Sequence, residues 1–196
     1  MFDEGQCIAS AQEGDAQAFA ELVEHYEKPV FNLCYRMLGD PYLAEDAAQE
    51  SFLRAYKAIR RYDPNRKFST WLLSIAANYC IDQHRRRRAV TVPMDAVAPG
   101  ELSSKIDGVE SSVLQREGQA NIQKLLLGLD APDRAAIVLH YWHGYSYEEI
   151  AVQLSITESA LKSRMHRARR ALAAAMESTP SAPRVAERRQ HESAAF

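Results

Sequence analysis

The chain lacks any apolar run approaching the roughly 18 residues that a membrane span requires, although 46% of its 196 residues are hydrophobic. That apolar content is available for packed cores rather than for lipid. Its three cysteines, Cys7, Cys34 and Cys80, are odd in number and far apart, with no CxxC pair. Such spacing argues against a disulfide framework and against a zinc site. There is no Gly-rich phosphate loop, no GxSxG and no HExxH, so the usual carriers of phosphoryl, acyl and metalloprotease chemistry are missing. His140 and His143 stand three apart without a cysteine or carboxylate at ligand spacing, a pattern that suits packing and surface roles better than a metal. No cofactor, no metal and no catalytic set is expected. Strand alternation is almost absent. The N-terminal MFDEGQCIASAQEGD is acidic and has no positive region followed by an apolar stretch, so it does not read as a secretory signal. The expectation is an all-α cytoplasmic protein without direct membrane insertion.

Basic charge is also nearly missing from the first 50 residues, where eleven carboxylates accompany only Lys28 and Arg36. Residues 51–88 reverse the balance, with ten lysines and arginines against Asp63 and Asp82. The overall net charge of -2 hides this segregation. A chain polarised in this way can turn a basic face to a polyanion and an acidic face to another partner.

Helical periodicity fills most of the rest. Asp15 is suited to cap a helix running to about Leu38, with Phe19, Leu22, Val23, Tyr26, Val30, Leu33 and Met37 on one face. Gly39 ends it, and Asp40-Pro41 supplies a cap and first-turn proline for the next. That helix, Tyr42 to about Arg60, is expected to bury Leu43, Ala47, Phe52 and Tyr56 and to expose Glu45, Asp46, Gln49 and Glu50. A turn at Tyr62-Asp63-Pro64-Asn65 leads into a helix capped at Ser69. Residues 89–112 carry Pro93, Pro99, Gly100, Gly108 and four acids against Lys105, the composition of an extended acidic linker. A second helical block follows, read as Val113–Leu129, Asp130 or Pro132 to His143, Tyr147–Leu154 and Glu158–Met176. The tail 177–196 lacks apolar periodicity and reads as disordered. The organisation is two small helical domains, 1–88 and 113–176, with a linker and a tail.

Two stretches carry chemistry. In FSTWLLSIAANYCIDQHRRRR, Leu72, Ile75, Ala76, Tyr79 and Cys80 share one arc, while Ser74, Asn78, Asp82 and Arg85 share the other, with Trp71 at the border. Aromatic rings beside a cationic helix suit single-stranded nucleic acid, because bases stack on rings and phosphates pair with guanidinium. Taken alone, the stretch fits equally well a core helix with a solvated basic end. The second stretch decides between them. Ser146-Tyr147-Glu148-Glu149 is a capping box, and Ser155-Ile156-Thr157 turns its short helix into a longer basic one. Two helices joined by about three residues form a helix-turn-helix. Ser155 stands where many such turns have glycine. Leu161, Met165, Ala168 and Leu172 make the inward stripe, with Arg164 near it. Ser159, Lys162, Ser163 and His166 are placed to meet base edges, and Arg167, Arg169 and Arg170 to hold phosphates.

Together these residues resemble the extracytoplasmic-function (group 4) sigma factors of bacterial RNA polymerase, from about residue 15 to 176. Residues 44–52 (AEDAAQESF) look like that family's core-binding segment. Phe68 to Leu72, Ile75-Ala76, Asn78, Asp82 and Arg85-Arg86 look like its promoter-melting and -10 segment, and residues 144–151 with Lys162-Ser163-Arg164 and Arg167-Ala168-Arg169 look like its -35 segment. The resemblance implies that Asp46, Gln49, Glu50 and Phe52 meet the beta-prime clamp of core RNA polymerase, with the beta flap as a second contact. It implies that the loop Arg61 to Lys67, including Asn65, captures a flipped base, and that Trp71, Ser74, Asn78, Arg85 and Arg86 line the strand path. It implies that Ser159, Lys162, Ser163, His166, Arg167 and Arg170 read the -35 duplex. It further implies a linker threading the polymerase's RNA channel and an anti-sigma factor as partner.

The chain departs from the family at Leu129-Asp130, where Leu-Pro is common, and at Ala160, where threonine often opens the recognition helix. The second change removes a hydroxyl near the DNA. The competing reading is a stand-alone helix-turn-helix repressor. It requires a dimer interface and a palindromic site, yet the chain shows no heptad run, and a repressor has no use for a melting helix. A nucleic-acid-processing enzyme would need an acidic metal cluster or a nucleophile–base pair, and the sequence offers neither.

Overall fold

In a computed structural model, residues 2–90 and 113–178 are described. They form eight α-helices and one 3-10 turn, with no strand among them. The first four helices are α1 (Glu4–Glu13), α2 (Ala16–Leu38), α3 (Pro41–Ala58) and α4 (Phe68–Val90), with the 3-10 turn Ile59–Arg61 between α3 and α4. Their limits follow from side-chain caps. Asp3 accepts from the Gln6 amide, Asp15 from Gln17 and Ala18, and Asp40 from Leu43, each satisfying amides that a helix start leaves open. Gly14 and Gly39 end α1 and α2 in the left-handed conformation.

α2, α3 and α4 pack as a bundle around Leu22, Val30, Leu33, Met37, Leu72 and Ala76, with Ala44, Ala47 and Ala55 bringing α3 close to its neighbours. α1, which the periodicity did not suggest, lies against α2 and the 3-10 turn. Its Gln12 Nε2 donates to the carbonyls of Ile59 (3.1 Å) and Tyr62 (2.9 Å). Three local expectations are corrected. Tyr56 is 42% exposed rather than buried, because it sits at the rim of α3 edge-on to Phe19. Leu43 is only half-buried. α4 begins at Phe68, one residue before the expected cap at Ser69, with the Trp71 amide donating to the Lys67 carbonyl.

The second group is α5 (Val113–Leu127), α6 (Ala131–His143), α7 (Tyr147–Gln153) and α8 (Glu158–Ser178). α4 runs on to Val90, and the rest of the expected linker lies outside the described residues, as does the tail beyond Ser178. The two groups share one buried cluster, with α5 and α6 against α2 and α6 against α4. Gly39 belongs at this contact for two reasons. Its φ is +78°, and a Cβ there would fall 2.5 Å from Leu127 Cδ1.

Polar contacts clamp the groups together, and Arg134 of α6 is their centre. It is 2% exposed, and its guanidinium donates to the carbonyls of Leu126 (2.8 Å), Leu127 (2.9 Å) and Leu129 (2.9 Å) and, across the groups, to Met37. These carbonyls lie at and beyond the C-terminal ends of α5 and α2, where acceptors are left open and the helix dipoles favour a cation. Gln123 donates to the carbonyls of Tyr35 (2.9 Å) and Arg36 (3.3 Å), and the Arg36 guanidinium lies 5.1 Å from the Trp142 ring centroid. Arg88 reaches Asp130 at 3.7 Å, an exposed pair of little energetic weight.

Two histidines sit in this contact. Burial, helped by the Arg36 charge, lowers the pKa of His143 to about 4, and its Nε2 has no hydrogen-bond partner among the described residues. Burial, then the charge of Arg134, lowers that of His84. Both shifts favour the neutral ring in the folded chain. Above the ordinary value of 6.5 the contribution of His143 is complete, and it is lost as pH falls toward 4. The urea midpoint is therefore expected to fall between pH 6.5 and 5, with a shallower slope in His143→Phe. Arg134→Met leaves four carbonyls without their donor and is expected to cost about 3 kcal/mol in urea unfolding. Arg134→Lys recovers only part of this, because one ammonium cannot replace the guanidinium fork.

Candidate nucleic-acid interface

The turn before α4 is held from several sides. Asp63 Oδ1 accepts from the Asn65 amide (3.0 Å) and from Asn65 Nδ2 (2.9 Å), the Arg66 amide donates to the Asp63 carbonyl (3.1 Å), and the Tyr62 hydroxyl donates to the Arg66 carbonyl. Tyr62, Phe68 and Trp71 form an aromatic cluster beneath it, with ring centroids 5.0–5.4 Å apart. Arg61, Asn65, Arg66 and Lys67 are left exposed on a pre-shaped loop, and Trp71 is half-buried with one side toward a cleft.

That cleft, of about 390 Å³, is lined on one side by Asn65, Arg66, Lys67, Thr70, Trp71 and Ser74. Arg66 and Thr70 lie inside the loop Arg61 to Lys67 and the stretch Phe68 to Leu72 named from the sequence, without a role of their own there. Ser74 Oγ donates to the Trp71 carbonyl, so its hydroxyl is turned to its own helix. Asn78 is exposed one turn further on, and Arg85 and Arg86 are exposed near the end of α4. The structure thus gathers Asn65, Lys67, Trp71 and Ser74 around one cleft, with the other -10 candidates outside its lining.

On the second group, the Ser146 hydroxyl accepts from the Glu149 amide (3.1 Å) while the Glu149 carboxylate accepts from the Ser146 amide (2.8 Å), completing the capping box. Ser155 has φ +54°, the left-handed turn that glycine usually supplies, and the Ile156 amide donates to the Ala151 carbonyl (3.0 Å). Thr157 Oγ1 accepts from the Ala160 amide (3.2 Å) at the start of α8. Leu161, Met165 and Ala168 are buried, and Arg164 pairs with Asp133 at 2.7 Å beside them. Ser159, Lys162, Ser163, His166, Arg167 and Arg170 all stand on the exposed face. Lys162 meets Glu158 at 2.7 Å and Ser163 donates to the Ser159 carbonyl at 3.1 Å, contacts that an approaching duplex must displace.

The acidic face of α3 exposes Asp46 and Gln49, with Glu50 half-buried and pairing with Arg54 at 2.8 Å. Phe52, which the periodicity placed inside and the resemblance assigned to the clamp, is 9% exposed and packed in the core, one position away from Leu53, which is 54% exposed. The reason is register, since Ala44, Ala48, Ser51, Phe52 and Ala55 share the inward side of α3. A further surface went unnoticed in the sequence. Ile122, Leu125, Tyr141, Trp142, Leu172 and Met176 line an open apolar groove of about 550 Å³ with Arg169 at its rim. Its signal lay in the exposed Tyr141-Trp142 pair, which reads as ordinary core inside an apolar helix.

The sigma-70 region 2 family matches residues 22–90, and the sigma-70 region 4 family matches residues 119–172. The sigma factor SigW of Bacillus subtilis is 42% identical over 173 residues, covering 84% of this chain and 92% of that protein. The chain belongs to the extracytoplasmic-function sigma factor family. The sigma-H factor of Pseudomonas aeruginosa is 32% identical, covering 88% of this chain and 93% of that one. A solved structure of CnrH in complex with the cytosolic domain of CnrY superposes with a TM-score of 0.65 at 26% identity, covering 88% of this chain and 96% of that one. RpoE of Bartonella quintana, solved with the anti-sigma factor NepR, shares the fold with a TM-score of 0.63 at 22% identity.

This sigma factor is accordingly an all-α transcription-initiation protein, and the repressor reading is not favoured. Sigma factors are transcription regulators. Among the described residues no helix is long and apolar enough to cross a membrane, and no group of three or more His, Cys, Asp or Glu is placed to hold a metal ion. The strained turn of the helix-turn-helix gives a local test. Ser155→Gly relieves a left-handed serine and is expected to stabilise the chain by up to about 1 kcal/mol, read as a higher midpoint in thermal unfolding.

Proposed function

We propose that this sigma factor binds core RNA polymerase in the cytoplasm, captures the -10 element as a single strand on α4 and reads the -35 element as duplex with α8. The observation that carries the reading is the pre-shaped basic turn with Trp71 at its edge, on the same chain as a capped helix-turn-helix with a basic outer face. Lys67, Asn65 and Arg61 surround the flipped base and its phosphates, and Trp71 offers the stacking face. Unstacking costs a few kcal/mol, and a loop already held by Asp63, Tyr62 and Gln12 spends none of its binding energy on ordering itself. Asn78, Arg85 and Arg86 continue the strand path along α4.

Asp46, Gln49 and Glu50, with Leu53 in place of Phe52, make the acidic and apolar surface for the beta-prime clamp. The groove around Trp142 and Met176 fits an apolar helix and is assigned to the beta flap. The working parts divide as 1–88, 89–112 and 113–176, with the tail 177–196 outside them. An anti-sigma factor completes the system. The supporting likeness is to CnrH and RpoE, whose solved structures hold CnrY and NepR.

Run-off transcription with purified core polymerase on fragments of the host genome tests the reading. Discrete transcripts are expected only when the chain is added. Trp71→Ala is expected to lower open-complex formation about tenfold or more, a loss scaled to one base stack, while leaving core binding intact. Arg167→Ala and Arg170→Ala are each expected to reduce the salt dependence of promoter binding by about one unit of slope. Footprints on duplex DNA by the chain alone, with no core-dependent transcript, would return the repressor reading.

A further inference from the structure

Two ion pairs on α8 have the same length and different surroundings. Lys162 Nζ meets Glu158 at 2.7 Å, and Arg164 Nη1 donates to Asp133 Oδ1 at 2.7 Å. The first joins residues one turn apart on a single helix, with side chains 62% and 51% exposed. Water already solvates both charges, so the pair holds little energy and Lys162 is free to exchange it for a phosphate. The second joins α8 to α6, with side chains only 28% and 17% exposed. Asp133 lies in the first turn of α6, where the helix dipole also favours a carboxylate. Arg164 stands beside Leu161, Met165 and Ala168, the buried stripe of α8. Removing the guanidinium from this pair strands a carboxylate that has lost most of its water, a heavier cost than breaking a surface pair.

Arg164 is nonetheless a close neighbour of residues that face outward, since Ser163 before it and Arg167 one turn later are both exposed. An arginine side chain is long enough to carry its guanidinium from the inner edge of a helix to the exposed face. We propose that Asp133 is a positioning residue for the recognition helix: by holding Arg164 against α6 it keeps one cation off the DNA backbone, so that duplex binding leans on Lys162, Ser163 and His166 at the bases and on Arg167 and Arg170 at the phosphates. The inference rests on the assignment of α8 to the -35 duplex. A phosphate contact adds affinity for every sequence alike. Withholding one lowers the sequence-independent part of the binding and leaves base contacts a larger share of the whole. The same bridge ties α8 to α6, so the charge that is withheld from the DNA also fixes the helix that reads it.

The test uses the full chain bound to core RNA polymerase and a fluorescein-labelled promoter fragment, taken from the run-off transcripts, with its -35 element intact or scrambled. Fluorescence anisotropy reads affinity between about 50 and 200 mM salt, and circular dichroism confirms that each variant is folded. Arg164→Gln is expected to leave the salt slope unchanged, in contrast to the unit of slope lost in Arg167→Ala or Arg170→Ala. Asp133→Asn keeps the shape of the side chain and releases Arg164, and it is expected to steepen the slope by about one unit. Its gain in affinity is expected to be equal on intact and scrambled elements. Combining Asp133→Asn with Arg164→Gln is expected to return the slope to that of the unaltered chain, which assigns the gain to Arg164 rather than to the lost carboxylate. A slope that falls by about one unit in Arg164→Gln overturns the proposal, because the arginine then already holds a phosphate. An unchanged slope in Asp133→Asn overturns it too, as does a gain confined to the intact element or one that persists in the double variant. Should one single variant not fold, the slope of the other decides. If Arg167→Ala and Arg170→Ala also leave the slope unchanged and scrambling the -35 element leaves affinity unchanged, the assignment of α8 to the duplex falls, and the proposal with it.

Discussion

One guanidinium joins the two halves of this sigma factor. Arg134 is a charge placed almost wholly out of water without a carboxylate against it, an arrangement that ordinarily destabilises a fold. It is tolerated because the group donates to four carbonyls, three from the end of α5 and its following turn and one from the end of α2. Burial lowers its pKa, Asp130 nearby works in the opposite direction, and an arginine remains charged through both. The helix ends supply the negative potential that a counter-ion would otherwise give. Leu127 against Gly39, Gln123 on Tyr35, and His84 and His143 in their neutral forms all take their places around it.

The helix limits were legible because caps are local. Asp15, Asp40 and Ser146 each satisfy amides two or three residues ahead, and no distant part of the chain is needed to see it. Ser155 was legible for a related reason, since a turn of that length between two helices demands a left-handed residue whatever the side chain. α1 was missed although Asp3 and Gly14 bracket it. Its apolar content is small, and only the bonds from Gln12 to the following turn show what it supports.

The candidate site was legible in its residue types more than in their orientation. Trp71, Lys67 and Asn65 meet at one cleft as the aromatic-basic pattern suggested. Periodicity put Phe52 inside α3, where it lies, but the resemblance assigned that residue to the clamp, and a helix turns the adjacent Leu53 well away from it to the surface. The contact between the halves was not legible at all. Arg134 sits in a run of alanines and aliphatic residues and reads as an interruption of α6. Its acceptors are backbone groups, which leave no mark in a sequence.

Charge segregation along the chain gains a physical meaning from this arrangement. A protein whose first 50 residues are acidic and whose next 38 are strongly basic presents opposite fields on neighbouring helices, and fields of that kind attract wrong partners as readily as right ones. α7 lines the far side of the basic cleft, which sets the capping-box region of the helix-turn-helix across from the loop before α4. Packed against α4 through Gln153 and Tyr145, it belongs to a closed body. Glu149 is occupied at the cap in the closed chain by a bond internal to α7, whereas the Tyr145 and Gln153 contacts reach across to α4.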